Sequence, residues 1–162
     1  MAGTDEPGGI GAPGAMTDLF GLLAYAELVA FLNLSRDAAL APSLADKAAL
    51  GEMAVAEFAH FRALRGELTR MGAAPGQAML PFVAPLDAFH ARTAPADWLE
   101  GLVKAYVGDG IAADFYRAVA EYLEPRARAL VLCSRGTDNR SPPQRRLQAA
   151  GCQAPFLGKA AS

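Results

Sequence analysis

The sequence predicts an all-α fold. Apolar residues recur three and four positions apart over several long stretches, which is the period of a helix with one buried face. Alanine is abundant and hydrophobic residues make up 52% of the chain, a composition that favours packed helices. Punctuation by Pro42, Gly72, Pro95 and Pro125 divides the 162 residues into helix-length pieces. A chain of this length suggests one domain able to bury a core.

Residues 1–15 are rich in Gly, Pro and Ala and are expected to be disordered. Thr17 is the expected N-cap of a first helix running to about Leu40, with Asp18 in its first turn. Its inward stripe reads Phe20, Leu23, Ala24, Glu27, Phe31 and Leu34, and Glu27 is the one charge in it.

Pro42 ends that run. Ser43 and Asp46 form a capping box that opens a second helix, Leu44 to about Met71, with Gly72 as its C-cap. Glu57 and His60 lie three apart on this helix and so share a face, which also carries Met53, Leu64 and Leu68. Burying a carboxylate and an imidazole among apolar groups is costly unless something pairs them, and a metal ion does so well. Glu-x-x-His on an inward helix face is the ligand pattern of carboxylate-bridged di-iron bundles. Glu52 lies on a different, small-residue face and is expected in solvent.

Residues 72–94 contain Pro75, Pro81 and Pro85 and are expected to form a long crossover between helical hairpins. His90 in this stretch is expected as a hydrogen-bonded surface group. Thr93 before Pro95 is expected to start a third helix reaching about Leu123. Its stripe is Trp98, Leu102, Ala105, Asp109, Ala112, Tyr116, Val119 and Leu123. Asp109 is the acid in the stripe, between Gly108 and Gly110, and Asp114 is the second candidate. A fourth helix begins at Arg126 and loses its pattern after Leu132, so it is expected to be truncated.

Net charge is −2, divided into −8 for residues 1–124 and +6 for residues 125–162. The segment from Cys133 is rich in Arg, Pro and Ser, holds neither Glu nor His, and is expected to be a disordered basic tail, out of frame or from a truncated copy. Two cysteines, Cys133 and Cys152, define no disulfide framework. The sequence has no unbroken apolar run of membrane-spanning length and no signal-peptide pattern, so a cytoplasmic protein without a membrane span is expected.

Five segments carry a resemblance to a known family. They are residues 24–31 (Ala-Tyr-Ala-Glu-Leu-Val-Ala-Phe), 45–50 (Ala-Asp-Lys-Ala-Ala-Leu), 56–61 (Ala-Glu-Phe-Ala-His-Phe), 81–93 (from Pro81-Phe-Val-Ala-Pro) and 98–116 (from Trp98-Leu-Glu-Gly). Over residues 16–132 the chain resembles the actinobacterial ferritin-like proteins grouped with the tRNA 2-methylthio-N6-isopentenyladenosine hydroxylases. The resemblance implies a ferritin-like four-helix bundle with a long crossover between helices 2 and 3. It implies a di-iron centre with Glu27 from helix 1, Glu57 and His60 from helix 2, and Asp109, or Asp114, from helix 3. The Glu-x-x-His of helix 4 has no counterpart, which leaves the ligand set incomplete. Three functions follow as alternatives: an O2-dependent hydroxylase with a tRNA substrate and an electron donor, an iron-binding or ferroxidase protein, and a metal-free interaction domain or non-functional fragment. Loss of most of helix 4 would expose apolar faces and favour a homodimer.

Overall fold

The computed structural model describes residues 13–133. Five helices occur among them, and no strand: α1 (Pro13–Leu40), α2 (Leu44–Arg70), α3 (Pro75–Arg92), α4 (Trp98–Ala120) and α5 (Pro125–Cys133). The all-α expectation holds. The chain divides into two compact units, Met1–Asp109 and Gly110–Ser162.

The first unit is built on α1. Its central stripe is buried as the period requires: Phe20, Leu23, Ala24, Glu27 and Leu34 are buried, and Phe31 is half-buried. α1 packs along α2 and also against α3. At one end of the α1–α2 seam, Leu34, Ala41, Leu50 and Ala54 form a cluster covered by Phe31, Ala38, Trp98, Leu102 and Ala105. α1 begins at Pro13, four residues before Thr17, because proline's fixed φ suits a first helical position. Thr17 is therefore inside the helix rather than its cap, and residues 13–15 are helical. The remainder of the expected disordered segment, 1–12, lies outside the described residues. Against the expectation of no membrane-spanning stretch, Gly14–Leu40 is long and apolar enough to cross a membrane by length and composition alone. Its buried stripe packs in the protein core.

α2 has the expected ends. The Ser43 Oγ accepts from the Asp46 N–H at 3.1 Å and donates to Asp46 Oδ2 at 2.6 Å. At the other end Gly72 has φ +79°, Gly72 N–H bonds Thr69 O at 3.0 Å, and Ala73 N–H bonds Leu68 O at 2.9 Å. This pair of bonds closes the helix and needs a left-handed residue, which glycine adopts without cost from a side chain. The buried side of α2 is Leu50, Ala54, Phe61, Leu64, Glu67 and Leu68. Met53, expected on that side, is exposed, and Glu52 is exposed as expected.

The expected crossover is helical. α3 starts with Pro75 in the first turn and continues through Pro81 and Pro85. Each of these two prolines removes one backbone N–H, and their four-residue spacing puts both losses on one side. Packing on α1 outweighs those losses. Gly21 lies so close to α3 that a Cβ there would sit 2.1 Å from Ala78 O. One turn further along α1, the Tyr25 hydroxyl donates to Asp87 Oδ1 at 2.6 Å. Thr93 ends α3 rather than starting α4, with its N–H and its Oγ1 both on Phe89 O. The start of α4 is set by Asp97: its Oδ1 accepts from Glu100 N–H at 2.9 Å, and Glu100 Oε2 accepts from Ala96 N–H at 2.7 Å. That reciprocal pair satisfies two otherwise orphaned donors.

The second unit holds the end of α4 and the short α5. Ala113, Tyr116, Ala120, Leu123, Ala127, Leu130 and Val131 are buried. α4 stops at Ala120, and Pro125 occupies the first position of α5. α5 is described as far as Cys133, the last described residue, so the expected truncation of the fourth helix falls outside what the structure describes. The expected disordered or out-of-frame tail, 134–162, lies outside the described residues.

Candidate metal centre

Two long amphipathic helices carry three donor side chains to one place in their shared seam. Glu27 falls in the α1 stripe between Ala24 and Phe31, so the helical period alone turns it toward α2. Glu57 lies between Ala54 and Phe61 in the α2 stripe, and His60 is one turn later. One ligand atom from each of Glu27, Glu57 and His60 lies within 4.8 Å of the others. Glu27 is 4% exposed, and the side chains of Glu57 and His60 are each 16% exposed.

His60 Nδ1 is 3.6 Å from Glu57 Oε2 and 3.8 Å from Glu27 Oε2. These separations suit ion pairs and exceed hydrogen-bond length. The buried Nδ1 atom accordingly has no hydrogen-bond partner. Two carboxylate oxygens around an imidazole nitrogen that makes no hydrogen bond leave room for a small cation between them. Oxygen and imidazole donors together suit a divalent transition metal such as iron. The residues present therefore fit one metal ion.

The electrostatics have the same origin. Burial pushes the Glu27 carboxyl up to about 8; His60 opposes the shift and Glu57 adds to it. For His60, burial opposes protonation, but the Glu27 and Glu57 carboxylates outweigh it and raise the imidazole to about 9. Without a metal the trio holds extra protons at neutral pH.

Of the residues expected at the site, the fold brings together Glu27, Glu57 and His60. Asp109 is exposed on α4 and is not a member of this group. Asp114 is also exposed, with its Oδ1 accepting from Arg117 at 2.6 Å. His90 is half-buried in the last turn of α3 with its Nδ1 unpartnered, rather than a hydrogen-bonded surface group. Burial and the nearby Lys104 lower its pKa.

Two features were not read from the sequence. Glu67 is buried near the end of α2, where Arg70 Nε donates to its Oε1 at 2.9 Å. Three rings also meet across the α1–α2 seam. Phe58 is 4.9 Å from Phe31 and 5.6 Å from Phe61, centroid to centroid. The signal was present: Phe58 and Phe61 each directly follow a ligand candidate, and Phe31 lies one turn after Glu27.

Among curated proteins none matches the chain. The family described as "Ferritin-like domain, actinomycetes" matches residues 13–160. That span covers α1 to α5 and continues to residue 160, through the segment read as out of frame. The chain belongs to the ferritin-like domain family of actinomycetes.

Proposed function

We propose that the protein binds iron through Glu27, Glu57 and His60. The observation that carries this reading is the convergence within 4.8 Å of two carboxylates and a buried imidazole nitrogen that makes no hydrogen bond. Glu27 supplies a buried anionic oxygen, Glu57 a second from the facing helix, and His60 Nδ1 the nitrogen. Bound iron would supply one-electron redox chemistry toward dioxygen. The protein's own part is to fix three donors on two rigid helices, keep bulk water from Glu27, and release the protons that the metal-free trio holds. Anaerobic Fe(II) loading followed by metal analysis tests this, with Glu57→Ala as the control.

A finer reading is an O2-dependent hydroxylase similar to the tRNA-modifying enzymes, working in the cytoplasm with an electron donor and a di-iron centre. The resemblance across residues 81–93 and 98–116 favours it. It calls for donors beyond the trio, and Asp109 is the described residue proposed for that role. Hydroxylated isopentenyladenosine formed from tRNA by iron-loaded protein, reductant and O2 supports this reading; iron oxidation without that product favours the ferroxidase alternative.

A further inference from the structure

Between Trp98 and Asp109, α4 carries two apolar faces. Trp98, Leu102 and Ala105 make the first, which covers the Leu34, Ala41, Leu50 and Ala54 cluster. Leu99, Val103 and Tyr106 each follow one of those residues by one position, which turns them about 100° around the helix, and Val107 extends their row. This second face lies in water: Leu99 is 64% exposed, Val103 57%, Tyr106 83% and Val107 50%. The two faces together make an apolar arc wider than the stripe a surface helix needs to cover its own core. We propose that Leu99, Val103, Tyr106 and Val107 form the contact surface of a symmetric homodimer, α4 packing against α4 of a second copy. This inference does not depend on metal binding.

Glu100 and Lys104 border the second face, and each turns to a backbone group of its own chain. Glu100 Oε2 accepts from Ala96 N–H at 2.7 Å, and Lys104 Nζ donates to His90 O at 3.4 Å. What remains between them is an uncharged patch with Tyr106, a residue type favoured at interface centres, as its most exposed member. The four side chains present about 500 Å² per copy, so pairing two copies buries about 1,000 Å², the area at which a specific interface begins. A second copy supplies the matching surface by identity, since a two-fold axis sets the same face against itself. Other segments of the chain have less to offer in sequence. Residues 134–162 hold Leu147, Phe156 and Leu157 as their large apolar residues, and Leu147 and Phe156 would fall on opposite sides of any helix. Residues 1–12 hold Met1 and Ile10.

Sedimentation velocity of the full chain from about 1 to about 100 µM tests this, the range in which an interface of minimal area associates. The wild type is expected to reach twice the chain mass of 16.9 kDa at the upper concentrations. Val103 lies in the middle of the face, where the two-fold axis sets it near its own copy, so Val103→Glu juxtaposes like charges. Val103→Glu and Tyr106→Glu should each weaken association roughly a hundredfold and leave monomer throughout the range. Both positions are exposed, and circular dichroism confirms that the variants fold. Leu44→Glu, at an exposed position on α2, should associate as the wild type does. Glu57→Ala should also still associate, which separates this surface from the metal centre. Wild-type protein that stays monomeric at every concentration overturns the homodimer. A dimer that persists in both α4 variants, or is lost equally in Leu44→Glu, overturns the assignment of the surface.

Discussion

Glu27 and His60 face each other across the α1–α2 seam, with Oε2 and Nδ1 3.8 Å apart and both side chains largely withdrawn from water. This separation is too long for a hydrogen bond and leaves space for a cation bound by both. Proton binding and metal binding are alternatives at this site, which sets the first expectation.

Both groups titrate above their ordinary values, Glu27 near 8 and His60 near 9. A group with a raised folded-state pKa stabilises the fold fully below its unfolded value and loses that contribution as pH rises through its folded value. For Glu27 the loss runs from about 4.5 to about 8, and for His60 from about 6.5 to about 9. The metal-free protein should therefore lose thermal stability between about pH 5 and pH 9. Thermal melts across this range check it, and Glu27→Gln should flatten the acidic half. Metal loading should reverse the slope, because cation binding displaces the protons.

Replacing donors should separate the trio from Asp109. Glu57→Ala and His60→Ala each remove one of three donors and should abolish tight Fe(II) or Co(II) binding in an equilibrium titration. Asp109→Ala should have a much smaller effect, because the three donor atoms converge without it. A loss as large as that of Glu57→Ala would make Asp109 a ligand.

Gly21 should not tolerate a side chain. A Cβ at this position would meet the Ala78 carbonyl oxygen at 2.1 Å, so α3 would have to move away from α1. Gly21→Ala should cost about 1–3 kcal/mol, the range for overpacking a tight contact. Chemical denaturation measures it. Ala78→Gly should not rescue the variant, since the clash is with backbone.

The start of α4 gives a further contrast. Asp97→Ala removes the acceptor for the Glu100 N–H and should cost about 1 kcal/mol. Thr93→Ala lies outside α4 and should leave this helix start unchanged. Urea melts of the two variants distinguish the caps.

Much of this architecture was legible in the sequence where one local rule governed it. The α1 stripe followed the helical period and turned Glu27 inward. Ser43, Asp46 and Gly72 marked the ends of α2 through side-chain and backbone chemistry confined to a few residues. α3 was missed because Pro81 and Pro85 argue against a helix locally, while the Gly21–Ala78 approach and the Tyr25–Asp87 bond that support it join residues far apart in sequence. Met53 was misplaced for a related reason: the buried arc of α2 is set by where α1 lies, and it excludes this edge position. In the metal centre, spacing identified Glu57 and His60, but their meeting with Glu27 depends on the register of two helices.

The most direct test of the central claim is the iron content of the purified full chain after anaerobic Fe(II) loading and removal of loose metal, measured beside Glu57→Ala. The account predicts stoichiometric iron in the wild type and its loss in the variant. Wild-type protein that retains no iron, or a variant that retains as much, would contradict it.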